Sequence, residues 1–300
     1  MVNTLKQIKF YILIYASILF SNENYIDVIT TNDIHGFINE QKAYFMNPNF
    51  PPRIIGGSGL YKYIKDIENK LSNQSDDILI LDGGNFFQGH PLGIVDSGKT
   101  MINWMNKIKY DATVPGQNDF LFGIDNLINL SKIADFPFLA ANMLDENDKH
   151  IFKPYTIINI KGVDIGIIGI VNDGLDDIVL RKNINGIKII PAVETMQKWT
   201  KKLQNKNVDI IVVLTSSGVP WERENVYNNF ISDYNKIAKH EIDNSIELGY
   251  YAEGVDLIIS GGISKGYKTP WYDKNSHTFI FQNYGNGTSF GHFKIKYDIN

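Results

Sequence analysis

The chain has 300 residues, of which 43% are hydrophobic and 21% charged, with a formal charge of -4 and no cysteine. It is long enough to bury one large core or two modest ones, and nothing in the balance points to disorder. The acidic balance, with no Lys/Arg cluster among aromatics, excludes a nucleic acid polymer as partner. The lack of thiols excludes disulfides, thiolate metal sites and a cysteine lipid anchor, so any metal must be held by nitrogen and oxygen.

Lys6 and Lys9 precede an apolar run from Phe10 to Phe20, well short of the ~20 residues a membrane span requires. Residues 1–21 therefore read as an export signal, which places the rest of the chain in the periplasm or outside the cell, with no membrane span after cleavage. Leu19-Phe20-Ser21 lacks a pair of small residues, so an uncleaved N-terminal anchor is the alternative. The β-branched run Tyr25 to Thr30 then reads as a buried strand that opens into the loop Thr31-Asn32-Asp33-Ile34-His35-Gly36. Asp33 and His35 stand two apart. In extended geometry their side chains leave on one side, an oxygen and an imidazole nitrogen able to share one metal ion.

Repeated units follow. Ser58 is expected to cap a helix carrying Leu60, Ile64, Ile67 and Leu71, and a strand over Asp77 to Asp82 leads through Gly83 to Gly93 into a helix from Lys99 to Ile108. A strand at Ala112 to Pro115 opens into the loop Gly116 to Gly123 and a helix ending near Ala134. Strand, loop and helix in this order describe an α/β domain, whose sites form at the carboxyl ends of strands. Phe138 to Asn142 reads as a further short strand, and Tyr155 to Ile160 pairs with Val163 to Ile170 across Lys161-Gly162 as a hairpin, so the sheet is mixed.

Val193, Met196, Thr200 and Leu203 mark a helix before the strand Ile210 to Leu214; Met196 and Trp199 read as core. The stretch 218–255 reads as one or two helices around Tyr227, Phe230, Ile231, Tyr234 and Ile237. Within it Arg223 is either the start of a solvated helix or a bidentate phosphate contact. Strands are expected at Val255 to Ile259, Thr278 to Phe281 and His292 to Tyr297.

The loops Leu81-Asp82-Gly83-Gly84-Asn85-Phe86-Phe87-Gln88-Gly89, Gly116-Gln117-Asn118-Asp119-Phe120-Leu121-Phe122-Gly123, Leu214-Thr215-Ser216-Ser217-Gly218 and Ser260-Gly261-Gly262-Ile263-Ser264 follow the Asp33 loop in order. With Phe136-Pro137-Phe138-Leu139-Ala140-Ala141-Asn142 and Gln282-Asn283-Tyr284-Gly285, the chain resembles the calcineurin-like metallophosphoesterases, in their exported 5'-nucleotidase and cyclic-phosphodiesterase branch. The resemblance covers nearly everything after residue 21. It implies a four-layer α/β/β/α sandwich with mixed sheets over residues 22–300, and two-metal hydrolysis of a phosphate ester. A second, nucleoside-gripping domain is not expected within the chain; a third reading is that the chain is a fragment of a longer exported protein.

Carried over residue by residue, the resemblance is uneven. Asp33 and His35 match its first two ligands. Asn85 stands at the bridging Asp, Gln117 at the Asn ligand, and Asn118 at the catalytic His. Leu121 takes the supporting Asp position, Ser216 a ligand His, and Gly262 with Ser264 the final pair. Removing even a supporting partner of a metal ligand costs about 10–100-fold, so these changes imply at most one weakly held divalent ion (Mn, Zn or Mg) on Asp33 and His35, with Asn85 and Gln117 as weak contributors. His90 reads as a loop-surface residue and Asp119 as the acceptor of a backbone hydrogen bond, while His150, His240, His277 and His292 have no metal spacing. The expectation is a pseudo-enzyme or binding module for a small phosphate ester or nucleotide; the alternative is an active metal-dependent hydrolase with an atypical ligand set.

Overall fold

A computed structural model describes residues 24–44, 46–70 and 78–297. The expected export signal, and the ends of the first helix and second strand at Leu71 and Asp77, lie outside the described residues. In chain order the strands are β1 (Asn24–Thr31), β2 (Gln41–Lys42), β3 (Arg53–Ile54), β4 (Ile78–Asp82), β5 (Ala112–Thr113), β6 (Met143–Asp145) and β7 (Tyr155–Ile160). They continue as β8 (Val163–Ile170), β9 (Ile187–Ile189), β10 (Ile210–Thr215), β11 (Leu257–Ser260), β12 (Trp271–Tyr272), β13 (Phe279–Phe281) and β14 (Gly291–Tyr297).

Two mixed sheets result. One has the order β14-β1-β4-β5 and the other β12-β13-β11-β10-β8-β7, with β14, β12 and β7 antiparallel to their neighbours. Strands buried on both faces explain the near-continuous apolar runs. In β10, Val212 and Leu214 join a core that includes Leu79 and Leu81 of the facing sheet, whereas Ile211 and Val213 join a second core with Val193, Met196 and Leu203 of the helix Ala192–Gln204. The helices Gly57–Lys70 and Lys99–Ile108 cover the other sheet through Leu60, Ile64, Met101 and Met105. This is the expected α/β sandwich, helices outside and sheets within.

The hairpin forms where expected. Lys161 and Gly162 both take positive φ, 54° and 85°, which gives a two-residue turn the twist its strands need.

Three expectations need correction. Phe138 to Asn142 makes no strand beyond single bridges at Phe138 and Leu139. The amides of Leu139, Ala140 and Ala141 donate to Thr113, Lys153 and Gly169, three separate segments, so no ladder can propagate; the stretch ties one sheet to the other instead. The stretch 218–255 holds three helices, Arg223–Ser232, Tyr234–Ala238 and Ser245–Tyr250, the last started by the Asn244 side chain accepting from Ile246 and Glu247. Ser58 lies inside its helix and donates to the Ile55 carbonyl rather than capping.

The tie between sheets leaves no room at Gly169, where a methyl group would stand 2.1 Å from the Leu139 carbonyl oxygen. Gly169→Ala is expected to lower stability by about 2–3 kcal/mol, since Gly169 cannot retreat without breaking its ladder with β10 and Leu139 is tied by its amide to Thr113. Urea unfolding with an unchanged midpoint would refute this.

Candidate functional site

The carboxyl ends of β1, β4, β5, β10 and β11 meet where the two sheets approach each other. Gly83 and Gly261 approach closely: a Cβ on Gly261 would lie 2.3 Å from the Gly83 carbonyl oxygen. Any side chain there would hold the loops of the two sheets apart.

Asp33, 1% exposed, sits in this cleft. It does not continue the strand: Asp33 and His35 both have positive φ, 49° and 53°, as does Asn85 at 60°. The pair is therefore brought together by a turn rather than by strand alternation, with His35 Nε2 3.8 Å from Asp33 Oδ1. Three non-glycine residues held in the left-handed region within one cleft are costly, and such strain clusters at functional sites.

The Asp33 carboxylate is filled by protein donors. Asn85 Nδ2 donates to Oδ1 at 2.7 Å, Asn32 Nδ2 donates to Oδ2 at 2.8 Å, and the Gly262 N–H lies 3.0 and 3.1 Å from the two oxygens. The Asn85 amide is oriented by its other end, whose Oδ1 accepts the Asn118 N–H at 2.9 Å. Asn32 is fixed in turn: its Oδ1 accepts from the Asn283 N–H and its Nδ2 also reaches the Asn283 carbonyl.

His35 Nδ1 faces the Gln88 carbonyl at 2.8 Å, which requires the proton there, so in the neutral ring it is Nε2 that carries the lone pair. Ser264 Oγ stands 3.3 Å from Nε2 and can donate to it. Gln117 donates through Nε2 to the Gly262 carbonyl at 3.1 Å, while its Oε1 and the Ser216 hydroxyl are buried without a partner. Among the described residues no three His, Cys, Asp or Glu side chains converge.

The remaining candidates have other work. Asp119 Oδ2 accepts the N–H groups of Asn85 and Gly116, and Oδ1 that of Phe86. His90 Nδ1 accepts the Leu92 N–H at the start of the turn Pro91–Ile94 and its ring packs on Phe37. Arg223 lies over the Tyr267 ring and donates to the Thr269 carbonyl. His292 pairs with Asp27, and His240 with Glu194. Leu121 is exposed.

Sequence reasoning missed Asn32 and Asn283. The two amides bracket the Asp33 loop; Asn32 adjoins Asp33, and Asn283 stands in the Gln282 to Gly285 stretch that carries the resemblance, though neither was given a role. It also missed Asp82, fully buried behind the cleft, which accepts from the hydroxyls of Thr31 and Thr113 and from the Gly84 N–H. Burial pushes the Asp82 carboxyl up to about 7 and Asp119 up to about 8, against the hydrogen bonds that favour the anion.

A carboxyl raised on folding binds its proton more tightly in the native state. Its stabilising contribution is complete below the unfolded value near 3.8 and disappears as pH rises through about 7. Asp82→Asn is therefore expected to unfold less readily than the parent at pH 8 but not at pH 4, with a differential of up to about 4 kcal/mol. Its amide can donate to Thr31, whose hydroxyl then turns to Tyr110 at 2.9 Å. Urea midpoints that differ equally at both pH values would contradict this.

Residues 26–264 match the family described as "Calcineurin-like phosphoesterase". The chain is 26% identical over 260 residues to "Trifunctional nucleotide phosphoesterase protein YfkN" of Bacillus subtilis, covering 79% of this chain and 16% of that protein. It is 26% identical over 195 residues to a 5'-nucleotidase of Vibrio parahaemolyticus, covering 64% of this chain and 33% of that one. The solved structure of calcineurin-like phosphoesterase YfkN superposes with a TM-score of 0.69 over 93% of this chain and 86% of that chain, at 20% identity. The chain thus spans a third or less of the length of these two sequence relatives.

Proposed function

Because the chain belongs to the calcineurin-like phosphoesterase family, whose members are metal-dependent, we propose that it is a pseudo-enzyme: a module that binds a small phosphate ester or nucleotide on a hydrolase scaffold without a two-metal centre. The observation that carries this reading is the Asp33 carboxylate. A metal ligand must offer lone pairs to a cation, yet here both oxygens accept N–H groups from Asn85, Asn32 and Gly262. Asn85 turns a hydrogen-bearing nitrogen, not a second charge, towards the place a shared ion needs. The residues present do not fit a dinuclear centre.

The imidazole expected for acid-base work in the third loop is missing as well. Asn118 at the expected imidazole position does not titrate near neutral pH, and its backbone N–H is committed to Asn85. What remains is a cleft with donors, an imidazole lone pair and two unsatisfied buried oxygens, on Gln117 and Ser216. Those features suit a polar ligand or ordered water.

The test is turnover and metal content together. Purified protein saturated with manganese or zinc and then desalted should hold no ion above background, and should not hydrolyse nucleoside monophosphates or bis(p-nitrophenyl) phosphate. Metal-dependent turnover abolished by Asp33→Ala would overturn the reading. It would favour the second one, an active hydrolase with an atypical ligand set, whose support is His35 Nε2, which lies 3.8 Å from Asp33 and faces the Ser264 hydroxyl at 3.3 Å. On either reading the chain is exported, on the strength of Lys6, Lys9 and the run from Phe10 to Phe20; recovery of the protein in the cytoplasmic fraction would count against that.

A further inference from the structure

The short ribbon of β2 and β3 is closed by residues 43–52, on which Tyr44, Met46 and Phe50 are exposed, Phe50 at 83%. Ile55, 61% exposed, follows β3 directly. Met46, Arg53, Ile55 and Tyr63 all line one cavity of about 590 Å³ whose floor includes the buried Leu60, so the ribbon and the helix Gly57–Lys70 share this surface. Single exposed apolar residues need no explanation, but large ones gathered on one face mark a docking surface.

The backbone of the loop is closed on itself. Among its described residues every N–H finds an acceptor within the ribbon: Ala43 donates to the Pro52 carbonyl at 2.8 Å, Tyr44 to that of Lys42 at 3.1 Å, and Met46 and Asn47 to that of Ala43 at 3.0 and 3.4 Å. Asn49 and Phe50 both donate to the Asn47 side-chain oxygen, at 3.1 and 3.0 Å. Pro48, Pro51 and Pro52 have no N–H to satisfy. A loop that stays in water has no need of this, since water accepts from any amide left open. A loop that leaves water does, because each unmade bond there is costly.

Charge selects what the surface meets. From Gln41 to Lys65 the chain carries Lys42, Arg53, Lys62 and Lys65 and no acidic residue, although its net charge is -4. Lys42 and Arg53 stand directly opposite each other in the ribbon, an arrangement in which like charges repel. Glu40 pairs with Arg53 and Glu68 with Lys65. Among the described residues the exposed Lys42 and Lys62 have no carboxylate within 4.0 Å. An anionic surface would relieve that repulsion. Lysine is depleted where proteins bind one another, whereas exposed apolar side chains set among cations suit the boundary of an anionic bilayer.

We propose that the β2-β3 ribbon docks the protein on an anionic phospholipid surface, with Phe50 and Met46 entering the acyl boundary and Lys42, Arg53 and Lys62 meeting the headgroups. The inference stands whether or not the Asp33 cleft holds a ligand. Each cation near such a surface strengthens binding about fivefold, and burial of a phenylalanine ring about tenfold or more.

Co-sedimentation of the full chain with vesicles tests this, one set made of equal parts phosphatidylglycerol and phosphatidylcholine and the other of phosphatidylcholine alone. Phe50→Ala should weaken binding to the anionic set by about fivefold or more. Lys42→Glu should weaken it by a similar factor on the anionic set and by less than about twofold on the neutral one, and added salt should weaken the parent on the anionic set. Both side chains are exposed, so neither change opens the core. Parent and variants share residues 1–21, so the difference between them reads the ribbon and not the apolar run from Phe10 to Phe20. No binding of the parent to anionic vesicles at millimolar lipid, Phe50→Ala bound as tightly as the parent, or Lys42→Glu weakened equally on both sets would each overturn the inference. So would self-association of the parent that Phe50→Ala abolishes while vesicle binding is unchanged, which would assign the surface to a second copy of the chain.

Discussion

Asn85→Asp is expected to destabilise the protein at neutral pH by about 3–5 kcal/mol, because it puts a second carboxylate 2.7 Å from Asp33 in a place where Asn85 is wholly buried and Asp33 is 1% exposed. The substitution removes the strongest donor to Asp33 and adds a like charge. Two acids so placed cannot both ionise, so the loss should shrink at low pH, where the pair shares one proton. It should shrink also with millimolar manganese, since a cation between the two oxygens replaces the missing donor. Thermal unfolding of parent and variant, each in EDTA and in manganese, separates the contributions. A variant as stable as the parent in EDTA would mean that the hydrogen bond from the Asn85 amide is not what stabilises the buried Asp33 carboxylate.

Asp119→Ala should have a comparable effect by another route. Its carboxylate accepts three backbone N–H groups, from Asn85, Phe86 and Gly116, at 2.7–2.9 Å, and is wholly buried. Removal leaves three buried donors without acceptors, at about 1–3 kcal/mol each before relaxation, so a loss of about 3–5 kcal/mol is expected. Asp119→Asn keeps one acceptor oxygen and should cost less. The damage should be local first: amide exchange at Asn85, Phe86 and Gly116 should accelerate more than in the ladder between β8 and β10. Uniform acceleration through both sheets would show that Asp119 supports the whole fold rather than these two loops.

The sheet frame was legible because its strands are long, apolar and punctuated by glycine, and the hairpin because Lys161-Gly162 fits a two-residue turn. Phe138 to Asn142 misled because its composition suits a strand while its amides serve three different partners, which no local pattern records. The same division holds at the cleft. Asp33, His35, Asn85, Gln117 and Ser216 could be placed at strand ends from the order of the loops alone. That Asn85 turns its nitrogen towards Asp33 could not, since the choice depends on the Asn118 N–H arriving from another loop. The Gly262 N–H is a backbone donor, which residue types never reveal, and Asp82 looked like an ordinary strand end although it is fully buried.

The partnership of β1 with β14, and of Asn32 with Asn283, joins segments more than 250 positions apart. Chain synthesis is directional, so β1 and its neighbouring loop must wait, one sheet edge open, until almost all described residues have left the ribosome. Closure over so long a loop is slow and comes late. A nascent chain would therefore carry a half-built pocket for most of its translation, and ligand capture should begin only after the closing strand has docked.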